Sequence, residues 1–262
     1  MARLVRAIAA GMAERLRGRD LSLAAAGLTF YAGIAVVPCL LLALWLVGPL
    51  LPTGSITSAA DDLVAVLPPR SGAAVVVRGL VDAGAGLGPL GAAIALLPAT
   101  FYGEGLRRAF LRFTHRRESF VGWRGRLLVV PLLAAAPALV LPLLLAARLL
   151  GRVTGIADVL IGFTVVWLVL WAVLGWTFRV IAPSRPAGRA VLAGAMLTAA
   201  CLAGFLQGFV LFLSLPLDLG APFGGLTVVG GVVAVGLWLF VLHVVVLVGW
   251  TFTLARAGRW RG

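Results

Sequence analysis

The thirty-one residues from Leu21 to Leu51 include no charged side chain, and that run limits the possible folds more than any other stretch of the chain. A helix rises about 1.5 Å per residue and a bilayer core is about 30 Å thick, so roughly 20 apolar residues cross it. The run is also too long for the apolar core of a signal peptide, and no small-residue cleavage site bounds it. It predicts a first transmembrane helix, capped at its start by Asp20 or Ser22 and bent at Pro38, where the backbone loses a donor. Composition supports a membrane solvent for the rest: 62% of residues are hydrophobic and 12% charged, against about 45 to 50% and about 25% in soluble domains.

Read in order, residues 1–19 place Leu4, Ile8, Met12 and Leu16 every fourth position among Arg3, Arg6, Arg15, Arg17 and Arg19. This is either a basic helix lying in the headgroup plane or a tail made basic by topology. Residues 52–86 form an external excursion broken by Pro52, Gly54, Pro68 and Pro69, with Ser58 and Asp61 at capping-box spacing. A second span over 87–102 is bent by Pro98 and ends at Gly103-Glu104-Gly105. It leads into a basic loop over 103–126 and a third span over 127–150, punctuated by Pro131, Pro137 and Pro142. Spans over 159–182, 190–215 and 225–254 complete the set. The expected fold is an all-α bundle of six transmembrane helices, one membrane domain over 1–262, with spans 1 to 3 bent by proline.

Charge gives a separate test of that count. All 22 basic residues are arginine, against nine acids. With the N-terminus inside, eighteen of the 22 fall on the cytoplasmic side, and only Arg70, Arg78, Arg148 and Arg152 fall outside. The positive-inside rule predicts this asymmetry, so both termini are expected in the cytoplasm and the basic loops need no nucleic acid to explain them.

The spans carry no acid or arginine near their centres, which argues against a carboxylate relay. His243 is the deepest ionisable group and reads either as a neutral imidazole bonded to a neighbouring helix or as a gating or substrate-contact residue. Gln207 lies within Gly204-x-x-x-Gly208, a pattern of close helix packing that also leaves a homo-oligomer open. Gly175-Trp176-Thr177-Phe178 recurs as Gly249-Trp250-Thr251-Phe252, which reads as two tryptophan anchors at the inner interface. With His115 and His243 as the two histidines, and Glu104 and Glu118 set among arginines as ion pairs, the chain lacks the clustered ligands of a metal site. It also lacks the glycine fingerprints of a nucleotide site and a nucleophile elbow. Neither catalysis, a metal nor a cofactor is expected. Cys39 and Cys201 lie in apolar runs and read as packing residues.

Along the chain stand Ala24-Ala25-Ala26 with Phe30-Tyr31 and Pro38, the turn Arg117-Glu118-Ser119-Phe120, Arg185-Pro186 with Gly194-Ala195, and Pro222-Phe223-Gly224 before Leu237-Trp238-Leu239. Together these motifs resemble the YihY/virulence factor BrkB family of bacterial membrane proteins. Two positions depart from the family pattern. Phe223 stands where a tyrosine is usual, and Gly249-Trp250-Thr251 where the family closes with Gly-Ala-Glu, so no role of that tyrosine or carboxylate carries over. The resemblance implies a protein of the bacterial cytoplasmic membrane, a discarded ribonuclease label, links to serum resistance, and a part in moving lipids or other envelope components. On this reading a substrate path runs beside Thr29, Tyr31 and Pro38, faced by Gln207 and His243. Arg107, Arg108 and Arg112 contact anionic lipid headgroups at its inner mouth. The alternative is a non-transporting scaffold whose basic loop binds a protein partner.

Overall fold

The computed structural model describes residues 2–52, 54–66, 73–114, 121–139, 156–215 and 217–258. Among these the chain is all-α, with no strand. The helices are α1 (Ala2–Leu16), α2 (Leu21–Val47, extended by a 3-10 turn over Gly48–Leu50), α3 (Ser55–Val66), α4 (Ala73–Ala85), α5 (Pro89–Arg112) and α6 (Val121–Ala134). After them come α7 (Ile156–Trp176, ending in a π-helical turn over Thr177–Ile181), α8 (Gly188–Ser214) and α9 (Thr227–Gly258). Among the described residues four stretches are long and apolar enough to cross a membrane: Leu21–Leu50, Val159–Ile181, Gly188–Phe209 and Thr227–Gly258. Much of the third expected span, with Pro142 and Arg148, lies outside the described residues, as do Arg70 and the segment from His115 to Phe120.

Asp20 caps α2 by accepting from the Leu23 N–H at 2.8 Å, the role its position predicts. Pro38, Pro98 and Pro131 lie inside α2, α5 and α6, and none of them ends its helix. Ser58 is not a cap: α3 begins at Ser55, and the Ser58 hydroxyl donates back to the Ser55 carbonyl within the helix. Asp61 pairs with Arg78 of α4 at 3.1 Å instead. The apolar stripe of α1 turns toward protein, with Ile8 buried, Leu16 against the main core and Gly11 over Ala255.

The largest correction concerns residues 103–126, which were expected to form a loop. Helix α5 does not stop at Tyr102 but continues to Arg112, and α6 begins at Val121. Gly103 and Gly105 look like terminators and are contacts: a Cβ at Gly103 would meet the Gly125 carbonyl and Val129, and one at Gly105 would meet Tyr31. The glycines let α6 and α2 approach the backbone of α5, so tertiary packing decides what local propensity leaves open.

Packing follows a closed circuit in which α6 lies on α5, α5 on α2, α2 on α9, α9 on α8 and α8 on α7, whose π turn returns to α6. Helices α8 and α9 are joined by two matched contacts. Gly249 faces Thr198 and Gly194 faces Thr253 too closely for any side chain, while each threonine hydroxyl donates to the carbonyl of the glycine four residues before it. This pair, and not Gly204 with Gly208, makes the close approach: among the described residues nothing lies within 4 Å of a Cβ at Gly204, and at Gly208 only the Trp238 ring comes near.

Within the circuit, Phe110, Phe178 and Trp250 form an aromatic centre, with ring centroids 5.1 to 5.9 Å apart. Trp250 is fully buried there, so it is a core residue and not an interfacial anchor. Its counterpart Trp176 is partly exposed and donates to the Leu128 carbonyl at 3.2 Å, tying α7 to α6. The outward faces remain apolar, with Phe30, Leu97, Leu160, Leu197 and Leu237 exposed, as suits a lipid solvent.

Candidate functional site

Two polar regions stand out in this apolar body. The deeper one centres on His243, which is buried on α9. The Thr29 hydroxyl lies 2.9 Å from the Ala25 carbonyl and 3.1 Å from His243 Nδ1. On the other side of the ring the Tyr102 hydroxyl stands 3.1 Å from Nε2. One imidazole thus links α9 to both α2 and α5.

Tyr31, on the same stretch of α2, packs on Gly105, and Pro38 is half-buried beside Cys39. Neither joins the hydrogen bonds of His243. Gln207 does not face it either. The buried face of α8, marked by Val191, Ala195, Ala199 and Ala203, ends at Ala203, and the next position along that face, Gln207, is exposed. Beyond Ala203 the contact of α8 with α9 shifts to another face, where Trp238 packs on Phe205, Phe209 and Phe212.

The second region is a cleft of about 1120 Å³ at the end of the bundle where α5, α7 and α9 finish and α6 and α8 begin. Arg15, Arg107, Arg124, Arg179 and Arg185 line it, with no carboxylate among the described lining residues. Leu127, Leu128 and Leu254 supply an apolar wall. Arg107 is buried and donates to the Ile181 carbonyl at 2.6 Å, at the end of the π turn. Arg179 donates to the Pro186 carbonyl at 2.9 Å, which fixes it against the connection between α7 and α8.

Of the three arginines expected at an inner mouth, only Arg107 lines the cleft. Arg108 turns to Glu104, one turn back on α5, and Arg112 is exposed elsewhere. Glu104 is itself buried; its oxygens accept from Arg108 at 2.9 Å and from Arg126 of α6 at 2.7 Å. Arg126 also lies over the Phe101 ring, 4.0 Å from its centroid. Burial would raise the Glu104 carboxyl, but the bonds from Arg126 and Arg108 outweigh it and hold the pKa below the usual glutamate value. Glu104 is therefore an ion-paired clamp between two helices and not part of a solvated loop. Glu118 lies outside the described residues.

Sequence reasoning missed Arg15, Arg124, Arg179 and Arg185 as a group because they sit on separate helix ends and share no spacing. Only their common assignment to one side by the positive-inside rule could have flagged them.

Searches of the curated proteins and of the solved structures return no match for this chain. A family model does match, from residue 12 to residue 262, and so takes in the cleft, the His243 cluster and the glycine contacts of α8 and α9 together. The chain belongs to the family of that model, Virulence factor BrkB.

Proposed function

We propose that this membrane protein holds or moves an anionic amphiphile of the cell envelope, a lipid, with its headgroup in the arginine-lined cleft, and that it does so without catalysis. The cleft carries the reading: five arginines line a single cavity that also has a leucine wall, on a bundle with an apolar exterior. Arginines gathered at one cleft draw an anion toward it, each worth about 1 kcal/mol toward an anionic surface. In the accompanying topology six spans cross the cytoplasmic membrane, both termini are cytoplasmic, and the cleft opens on that side, where the arginine excess belongs. The scaffold reading draws on the exposed Arg112 and Trp123 near the same end. It has less behind it, since Arg108 and Arg126 are spent on Glu104.

Native mass spectrometry of the protein released from mixed-lipid nanodiscs tests this. One anionic lipid class should stay bound, and the double variant Arg107→Gln, Arg124→Gln should lose it while remaining folded. Loosely held bulk lipid that responds to neither change would end the lipid reading and direct the search to protein partners.

A further inference from the structure

The wall of the cleft formed by residues 182–187 has an unusual composition for a helix start. Helices commonly open on Ser, Thr, Asp or Asn, whose side chain accepts from the first free N–H groups. Here the cap position of the 27-residue helix α8 is Ala187, and no side chain caps it. Ala187 lines the cleft, so the positive end of α8 borders the same space as the five arginines.

The polar side chains of this wall can donate as well. Ser184 lines the cleft, and its buried Oγ has no hydrogen-bond partner. Arg179 is braced by the Pro186 carbonyl, and Arg185 stands beside them, exposed. Guanidinium N–H groups, a hydroxyl and a helix N-terminus all call for an acceptor. Among the described lining residues none is a carboxylate.

We propose that the start of α8, with Ser184, Arg179 and Arg185, binds a phosphoryl group carrying more than one negative charge, as a terminal phosphate does. A terminal phosphate offers three acceptor oxygens and about 1.5 to 2 negative charges, and it accepts paired N–H bonds from arginine; a carboxylate offers two oxygens and one charge. Helix N-termini hold phosphate for the same reason they accept an acidic cap. The leucine wall gives the remainder of an amphiphile an apolar place to lie. This inference rests on the lipid reading for its ligand and adds which chemical group of that ligand is recognised and where.

The test uses the full chain in nanodiscs containing phosphatidic acid or phosphatidylglycerol, with inorganic phosphate as a soluble probe. Phosphatidic acid should be retained about tenfold more than phosphatidylglycerol, and Ala187→Asp, which puts a carboxylate where the phosphate would sit, should cut retention at least about tenfold. Arg185→Gln and Ser184→Ala should each cost about fivefold, and Arg78→Gln, a charge lost far from the cleft, should cost nothing. Because Asp at this position also caps α8, that variant should melt no lower than the parent, which separates lost binding from lost folding. If inorganic phosphate binds alone and is lost in the same variants while no lipid is retained, the phosphoryl site holds with a free anion as its source, and only the lipid reading fails. Anionic lipid held equally by the parent, Ala187→Asp and Arg185→Gln would overturn the site and leave the lipid reading standing. Equal retention of phosphatidylglycerol would overturn the requirement for a multiply charged group.

Discussion

Arginines 107 and 108 are neighbours on α5, yet they serve two regions that use the same side chain in opposite ways. Arg108 joins Arg126 in closing on Glu104, a buried acid gripped between α5 and α6. Arg107 turns to the other side and lines a cleft with four further arginines and, among the described lining residues, no acid. In the first region the positive charge is consumed by the fold, and helix packing gains from it. In the second, the backbone carbonyls of Ile181 and Pro186 hold Arg107 and Arg179 in place at the cleft. Net charge alone does not distinguish the two; the partner of each guanidinium does.

That contrast can be broken most directly at Glu104. Replacing it with Gln should destabilise the protein by about 2 kcal/mol, below the cost of breaking a fully buried pair because Arg108 is half exposed. Thermal melting in detergent would measure this. The sign with pH follows from the lowered pKa. The stabilisation is full above the ordinary glutamate value of about 4.3 and is lost as pH falls through the lower folded value, so the gap between parent and variant should close only in acid. A gap that persists unchanged through that range would mean the clamp is not electrostatic.

A smaller effect is expected in the cleft, and of a different kind. Arg124→Gln should weaken retention of anionic lipid about fivefold and leave the melting temperature unmoved, since its charge is not part of the Glu104 clamp. A loss of stability equal to that of Glu104→Gln would erase the distinction between the regions. The smallest effect belongs to Arg108→Gln, at about 0.5 kcal/mol, because 54% of that side chain is open to solvent and Arg126 still holds Glu104. Lipid retention should not change in that variant.

The sequence shows some of this and hides the rest for physical reasons. The first membrane helix, its Asp20 cap and the long apolar helices α7, α8 and α9 follow from charge-free length and from side-chain chemistry within a few residues. The continuation of α5 past Gly103 does not, because a glycine that ends a helix and a glycine that admits a neighbouring backbone are the same letter. Trp250 reads as an anchor until Phe110 and Phe178 are brought around it. Gln207 continues the buried face of α8 in register but is exposed, because past Ala203 the contact with α9 runs through Phe205, Phe209 and Phe212 on Trp238 instead. The cleft is the least legible feature of all, assembled from helix ends that lie between positions 15 and 258.

The paired contacts of Gly194 with Thr253 and Gly249 with Thr198 have a mechanical consequence. Pinned at two heights, α8 and α9 behave as one beam. The cleft takes one wall from that beam, through Ala187 and Leu254, and another from α5 and α6, through Arg107, Arg124 and Leu127. For the second wall to move against the beam, the bonds from His243 to Thr29 and Tyr102, which fasten α9 to α2 and α5, must give way.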